Sequence, residues 1–169
     1  MVYFKKIACA GKYHDDQAIS DVVSYITRSD KTPSRIIYGV HVDMLNIAES
    51  MVAVSTGYGK YSRLRLHHFI ITFNPKYKAQ LELLAKVMEA ICNYIGRTYQ
   101  IIASLHEDTP YPHIHFVFNA VSFVNGYKYR SGKEDYYELI SCVESILSAH
   151  KLYPLVPVKY IPMPLDPHE

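Results

Sequence analysis

The sequence predicts an α+β domain: a central, mainly antiparallel sheet with helices packed on one face. Three observations predict it. Leu64 to Phe73 and His113 to Val121 alternate with the period of two that marks a half-buried strand. Lys78 to Tyr94 and Glu134 to His150 place apolar residues three and four apart, the period of a helix with one buried face. Ile101 to His106 is a third strand, joined to His113 by a short proline-containing loop, which suits antiparallel pairing.

Taken in order, Val2 to Cys9 reads as a first strand ended by Gly11. Asp15 or Asp16 is placed to cap a helix from about Gln17 to Ser29, with Ile19, Val22, Val23 and Ile26 as its buried stripe. Ser34 to Val42 is a short strand or a loop. A short helix follows from about Leu45 to Val54 with Ile47, Met51 and Val54 inward, and Thr56-Gly57-Tyr58-Gly59-Lys60 breaks it. That glycine segment is not a phosphate loop, because it has neither the Gly-Lys-Ser/Thr ending nor a preceding strand. Asn74-Pro75 ends the Leu64–Phe73 strand. The helix from Lys78 buries Leu81, Leu84, Val87, Met88, Ile91 and Ile95, and Gly96 stops it. Asn125-Gly126 signals a turn, with Tyr127 to Arg130 as a short return strand. The last helix turns Tyr136, Leu139, Ile140, Val143 and Leu147 inward. The domain is expected to span residues 1–158, with a proline-rich, extended tail over 159–169.

The chemistry concentrates in His106-Glu-Asp-Thr-Pro-Tyr-Pro-His113-Ile-His115-Phe-Val-Phe-Asn119. In the second of these strands Ile114, Phe116, Phe118 and Ala120 form an apolar side, so His113, His115, Val117 and Asn119 occupy the other face. In the first strand Ile101, Ala103 and Leu105 share the apolar side, which leaves Ser104 and His106 with the histidines. Antiparallel pairing then brings His106, His113 and His115 to one point. Three imidazoles suit one divalent metal and leave coordination positions open, the arrangement of a catalytic rather than a structural site. Asp108 is placed to orient a ligand histidine through its second ring nitrogen. The competing reading is two polar residues on a wet sheet face.

Composition narrows the classes. The 169 residues suit one domain with a real core, and no apolar run reaches the ~18 residues of a membrane span. The N-terminal strand is too short for a secretion signal. Cys9, Cys92 and Cys142 are odd in number and widely spaced, which predicts buried thiols in a reducing, cytoplasmic setting. A net charge of +2 permits nucleic-acid binding without arguing for it. Tyr25 falls about 110° from the centre of the first helix's stripe, on its flank, where a cleft can reach it.

His-x-Asp-x-x-x-Pro-His-x-His-x-x-x-Asn, over His106–Asn119, resembles the metal-binding motif of conjugative and mobilisation relaxases, which are His-hydrophobic-His endonucleases. Tyr25-Ile26 followed by Lys31-Thr32 is similar to that family's first motif. His68-Phe-Ile-Ile-Thr72-Phe73 is similar to its second, with threonine in place of serine. The resemblance covers nearly the whole chain to about residue 158. It implies a palm-like sheet and a catalytic tyrosine at Tyr25. It also implies metal ligands at His106, His113 and His115, with one divalent ion whose identity among Mg²⁺, Mn²⁺, Zn²⁺ and Ni²⁺ stays open. The implied partner is single-stranded DNA at a plasmid transfer origin, with accessory relaxosome proteins and no membrane. Relaxases usually continue into further domains, so a chain ending here is either a small stand-alone protein or an excised domain.

Arg28 and Lys31 would suit a phosphate backbone or be solvated helix-end charges. His68 would contact DNA or be an ordinary sheet histidine. Lys128 and Arg130, interleaved with Tyr127 and Tyr129, would form a DNA-contacting rim or a charged hairpin tip. Asp108 is either the general base for Tyr25 or an orienter of the histidines. The favoured activity is metal-dependent nicking and rejoining of single-stranded DNA through a 5′-phosphotyrosine. The alternatives are a replication initiator or transposase-like nickase, in which the tyrosine generally follows the histidines, and an inactive sequence-specific DNA-binding module. A histidine-triad hydrolase would want a further histidine at position 117, where Val117 stands.

Overall fold

A computed structural model describes residues 1–7, 13–61 and 63–157. The elements are β1 (Val2–Ile7), α1 (Asp16–Ile26), β2 (Ile37–Val40), α2 (Ile47–Gly57), β3 (Leu66–Phe73), α3 (Leu81–Ile95), β4 (Ile101–His106), β5 (His113–Asn119), α4 (Lys133–Ala149) and β6 (Leu155–Pro157). The six strands form one sheet in the order β2-β4-β5-β3-β1-β6. Every pairing is antiparallel except β1 with β6. The α+β plan is as the sequence predicts.

The sheet's two faces differ in how they are covered. Phe4, Phe69, Ile71, Phe116, Phe118, Ala103 and Leu105 form one apolar face, and α3 and α4 pack on it through Leu84, Met88, Ile91, Val143 and Leu147. Phe69 stacks on Phe116 with ring centroids 4.7 Å apart and on Phe4 at 5.1 Å, a ladder of rings across three strands. The expectation of helices on one face is corrected here. α1 and α2 pack on the opposite face, where Ile19, Val22, Val23, Ile26 and Met51 meet Leu66, Ile102 and Val117. The reason is that the histidine face is apolar at one end: Leu66 and Val117 need cover from water, and the amphipathic α1 and α2 supply it. The histidines occupy the other end of the same face.

Several boundaries move for local reasons. Asp15 caps α1 by accepting from Ala18 N at 2.8 Å. The helix ends at Ile26 rather than Ser29, where Thr27 folds its hydroxyl back to the Val23 carbonyl and the chain turns over Arg28. α3 begins at Leu81 rather than Lys78. Pro75 opens a 3-10 helix over Pro75–Ala79 that takes up the first turn of the expected helix, with Asn74 capping Lys76 N. β5 stops at Asn119 because the Asn119 side chain accepts the Val121 N–H and turns the backbone out of the ladder. The expected return strand over Tyr127–Arg130 is a single bridge, Val121 to Lys128. Gly126 takes φ +73° in that turn, and any side chain there would run into the Tyr58 ring.

Part of the proline-rich stretch is ordered: Leu155–Pro157 pairs in parallel with β1. The expected tail over 159–169 lies outside the described residues, as do Cys9 and Gly11. Cys92 is buried, whereas Cys142 is only half-buried, and both are free thiols.

Candidate metal centre and active site

Strand register assembles the histidines. β4 pairs with β5 so that His106 stands directly opposite His113, and Ser104 opposite His115. The ring centroids lie 4.3 Å apart for His106–His115 and 5.2 Å for both His106–His113 and His113–His115. One ring nitrogen from each lies within 4.8 Å of the others. The three imidazoles converge as the alternation predicts.

Hydrogen bonding decides which nitrogens face the centre. His106 Nε2 lies 2.8 Å from the Ile26 carbonyl, and a carbonyl only accepts, so the proton sits on Nε2 and Nδ1 is bare. His113 Nδ1 lies 3.0 Å from the Tyr111 carbonyl, which protonates Nδ1 and bares Nε2. Ile26 closes α1, so its carbonyl is one of the helix's orphan acceptors. One helix end therefore fixes a site histidine while satisfying itself.

His106 and His115 are 0% and 3% exposed, yet His106 Nδ1 and His115 Nε2 have no hydrogen-bond partner. Leaving buried polar atoms unpaired costs about 1–3 kcal/mol each. Two such atoms aimed at a third imidazole are the donor set a divalent cation requires, so the residues present fit the metal that the motif implies. Burial drives His115 down to about 2, helped by neighbouring His68, His106 and His113. Burial also lowers His106, despite its bond to Ile26. These rings are neutral at physiological pH, the form that binds metal.

Tyr25 leans over the cluster from α1. Its ring centroid lies 5.7 Å from that of His115 at 83° and 6.0 Å from that of His106 at 60°, and the residue is 45% exposed. A flanking position on the helix produces this: the buried stripe pins α1 to the sheet while Tyr25 projects beside it into the open end. The loop after α1 docks on the end of β4, where Glu107 N donates to the Lys31 carbonyl at 3.0 Å. Lys31 forms an ion pair with Asp108. That bond holds Lys31 above the usual lysine range and Asp108 below the usual carboxylate range.

Asp108 thus differs from the orienter expected of it. Its carboxylate bonds Lys31, and the three clustered rings are held by two backbone carbonyls and by another histidine. His68 differs too. It is 6% exposed, with Nε2 2.8 Å from His115 Nδ1 and Nδ1 3.1 Å from the Tyr13 hydroxyl, so both nitrogens are engaged and neither is presented to DNA. Neither Tyr13, bonded to His68, nor Ser104, the one of the two whose buried hydroxyl has no hydrogen-bond partner, carries a sequence signal that separates it from ordinary residues.

The remaining cations lie elsewhere. Arg28 is bound by Asp30 through two bonds of 2.9 and 3.0 Å in the exposed loop after α1. Lys128 and Arg130 line a groove of about 580 Å³ with Lys60, Arg63 and Tyr127, beyond the opposite end of β5 from His113. Lys128 is lowered there by burial and by the charges of Arg65, Lys60 and Arg63.

Fold and site together define an α+β domain with a three-histidine centre under a helix-borne tyrosine. The family model described as relaxase, MobA/VirD2-like, nuclease domain matches residues 25–152, and the chain belongs to that family. The match begins at Tyr25 and runs past α4. Neither a search of curated proteins nor one of solved structures found a match. No helix among the described residues is long and apolar enough to cross a membrane.

Proposed function

We propose that the chain is a site-specific DNA strand transferase. It nicks single-stranded DNA at a transfer origin through a covalent 5′-phosphotyrosine on Tyr25, and it can rejoin the strand. Membership of the relaxase nuclease family supports DNA nicking. The observation that carries the rest is the Tyr25 ring standing edge-on to His115 and His106, over two buried imidazole nitrogens without partners.

His106 Nδ1 and the Nε2 atoms of His113 and His115 would hold one divalent ion, with Mg²⁺, Mn²⁺, Zn²⁺ and Ni²⁺ as candidates. When bound, the ion supplies a Lewis acid for the oxygens of the scissile phosphate. The Tyr25 oxygen forms the new bond to phosphorus, and the bond from phosphorus to the 3′ oxygen breaks. The phenol proton leaves, and the 3′ oxygen takes one up. One phosphodiester replaces another, so the step is reversible. Lys31 is close enough to Tyr25 for their charges to interact and offers a cation to the entering phosphate. Asp108 holds Lys31 in place. The groove of Lys60, Arg63, Lys128 and Arg130 takes the backbone further along the strand, and Tyr127 offers a stacking face. Arg28 lies on the approach. Accessory relaxosome proteins and a cytoplasmic setting complete the reading.

The initiator-like alternative needs a tyrosine that follows the histidines. Among the described residues, the tyrosine rings in contact with His68, His106 and His115 are Tyr13 and Tyr25, both N-terminal of the motif. The inactive-binder alternative predicts DNA binding without cleavage. Incubation with single-stranded DNA from the gene's own neighbourhood and Mn²⁺ should yield a covalent protein–DNA band. That band should vanish in Tyr25→Phe and in His113→Ala. A band that survives Tyr25→Phe would move the nucleophile elsewhere, and binding with no band would favour the inactive module.

A further inference from the structure

On the histidine face, β3 pairs with β5 so that Ile70 stands opposite His115, and His68 lies one step along that face. Its Nε2 is 2.8 Å from His115 Nδ1, and its Nδ1 is 3.1 Å from the Tyr13 hydroxyl. Tyr13 is itself fixed to the start of β3, because Arg65 N donates to the Tyr13 carbonyl at 2.6 Å. Arg65 is 2% exposed and also ion-paired with Asp16 at the start of α1. The row Tyr13–His68–His115 is therefore built into the junction of β3 with α1.

Two neutral imidazoles joined by one hydrogen bond share one proton, and it can lie either way. If His115 Nδ1 donates, His115 Nε2 is bare. His68 then carries its proton on Nδ1 and donates it to the Tyr13 oxygen. If His68 Nε2 donates instead, His115 must carry its proton on Nε2. A buried N–H with no acceptor would then point at His106 and His113, since that nitrogen has no partner. Only the first arrangement presents a lone pair to the centre.

We infer that His68, braced by Tyr13, is a positioning residue that fixes the proton of His115 on Nδ1 and so aims a bare Nε2 at the metal centre. This rests on reading His106, His113 and His115 as metal ligands. It assigns to an imidazole–phenol pair the orienting work that backbone carbonyls do for the other two rings. It also accounts for a histidine in the second motif that is too buried to meet DNA.

The test uses the full chain, metal-free and ¹⁵N-labelled, with proton placement on each histidine read from long-range ¹H–¹⁵N correlations. In the wild type, His115 should show a protonated Nδ1 and a bare Nε2. In His68→Leu that preference should be lost, and affinity for Mn²⁺ or Ni²⁺ alone should fall roughly 10–100-fold. His68→Gln, whose side-chain oxygen can stand where Nε2 stands, should restore the proton placement and most of the affinity. Tyr13→Phe should shift both readouts the same way by less. A wild-type His115 protonated on Nε2 would overturn the inference. So would a folded His68→Leu that keeps wild-type proton placement and metal affinity. A wild type that binds no divalent ion, yet loses its Nδ1 proton preference only in His68→Leu, would uphold the positioning and defeat the metal reading.

Discussion

At the scale of single residues, the centre is set by which ring nitrogen each histidine must protonate. Ile26 and Tyr111 carbonyls make that choice for His106 and His113, and neither involves a carboxylate. Asp108, bonded to Lys31, makes no hydrogen bond to any of the three histidines. Asp108→Asn should leave Mn²⁺ affinity, measured by calorimetric titration, at the wild-type level, whereas His106→Ala should abolish measurable binding. A large loss in Asp108→Asn would return the orienting role to that carboxylate. The three clustered histidines were legible in the sequence because alternation on a strand assigns each side chain to a face. Tyr13 was not, because nothing local marks a tyrosine ahead of a helix cap as the partner of a histidine 55 positions on. The acceptors for His106 and His113 were also invisible, since any residue could supply a backbone carbonyl.

At the scale of elements, the last residue of the histidine motif holds a helix in place. Asn119 is fully buried. Its amide nitrogen donates to the Met51 carbonyl at 2.9 Å and to Gln100 Oε1 at 3.0 Å, and its oxygen accepts from Val121 N at 3.0 Å. Gln100 in turn donates to the His41 and Ser50 carbonyls. This network ties α2 to the end of β5 and completes the cover beside the site. Asn119→Leu keeps the volume but strands several of those groups, so chemical denaturation should show a loss of about 3 kcal/mol or more. A near-neutral result would mean that the network contributes little. Strand and helix identities followed from periodicity. Boundaries did not, because Thr27, Asn74 and Asn119 end or delay elements through side-chain bonds to the backbone, and these compete locally with an unbroken pattern.

At the scale of the whole molecule, the sheet is covered completely on one face and half-covered on the other. The single-faced expectation treated the histidine face as uniformly polar. Val117, two places after His115 on the same side, already marked where that face turns apolar, and α1 and α2 sit there. The half-cover is what leaves Tyr25 and His113 accessible beside the buried His106 and His115.

Burying so many imidazoles also has a cost in acid. Burial lowers His67 and His68 to about 4 and His115 to about 2, from 6.5. Below pH 6.5 the unfolded chain takes up protons at these sites that the folded chain refuses. Stability conferred by the neutral rings is therefore full above that pH and falls as pH drops from 6.5 toward 4. The slope should approach roughly 1.4 kcal/mol per pH unit for each such histidine. Denaturant midpoints of the metal-free protein should fall steeply across that range, and a flat profile would contradict the burial of neutral rings.

The central claim is that Tyr25 and the three-histidine centre act as one site. The most direct measurement is peptide mapping by mass spectrometry, after the protein is trapped on single-stranded DNA in Mn²⁺ and the DNA is digested away. The account predicts a nucleotide adduct on Tyr25, formed with Mn²⁺ and absent when a chelator is added first. An adduct on any other tyrosine, or one that forms equally well in the chelator, would contradict it.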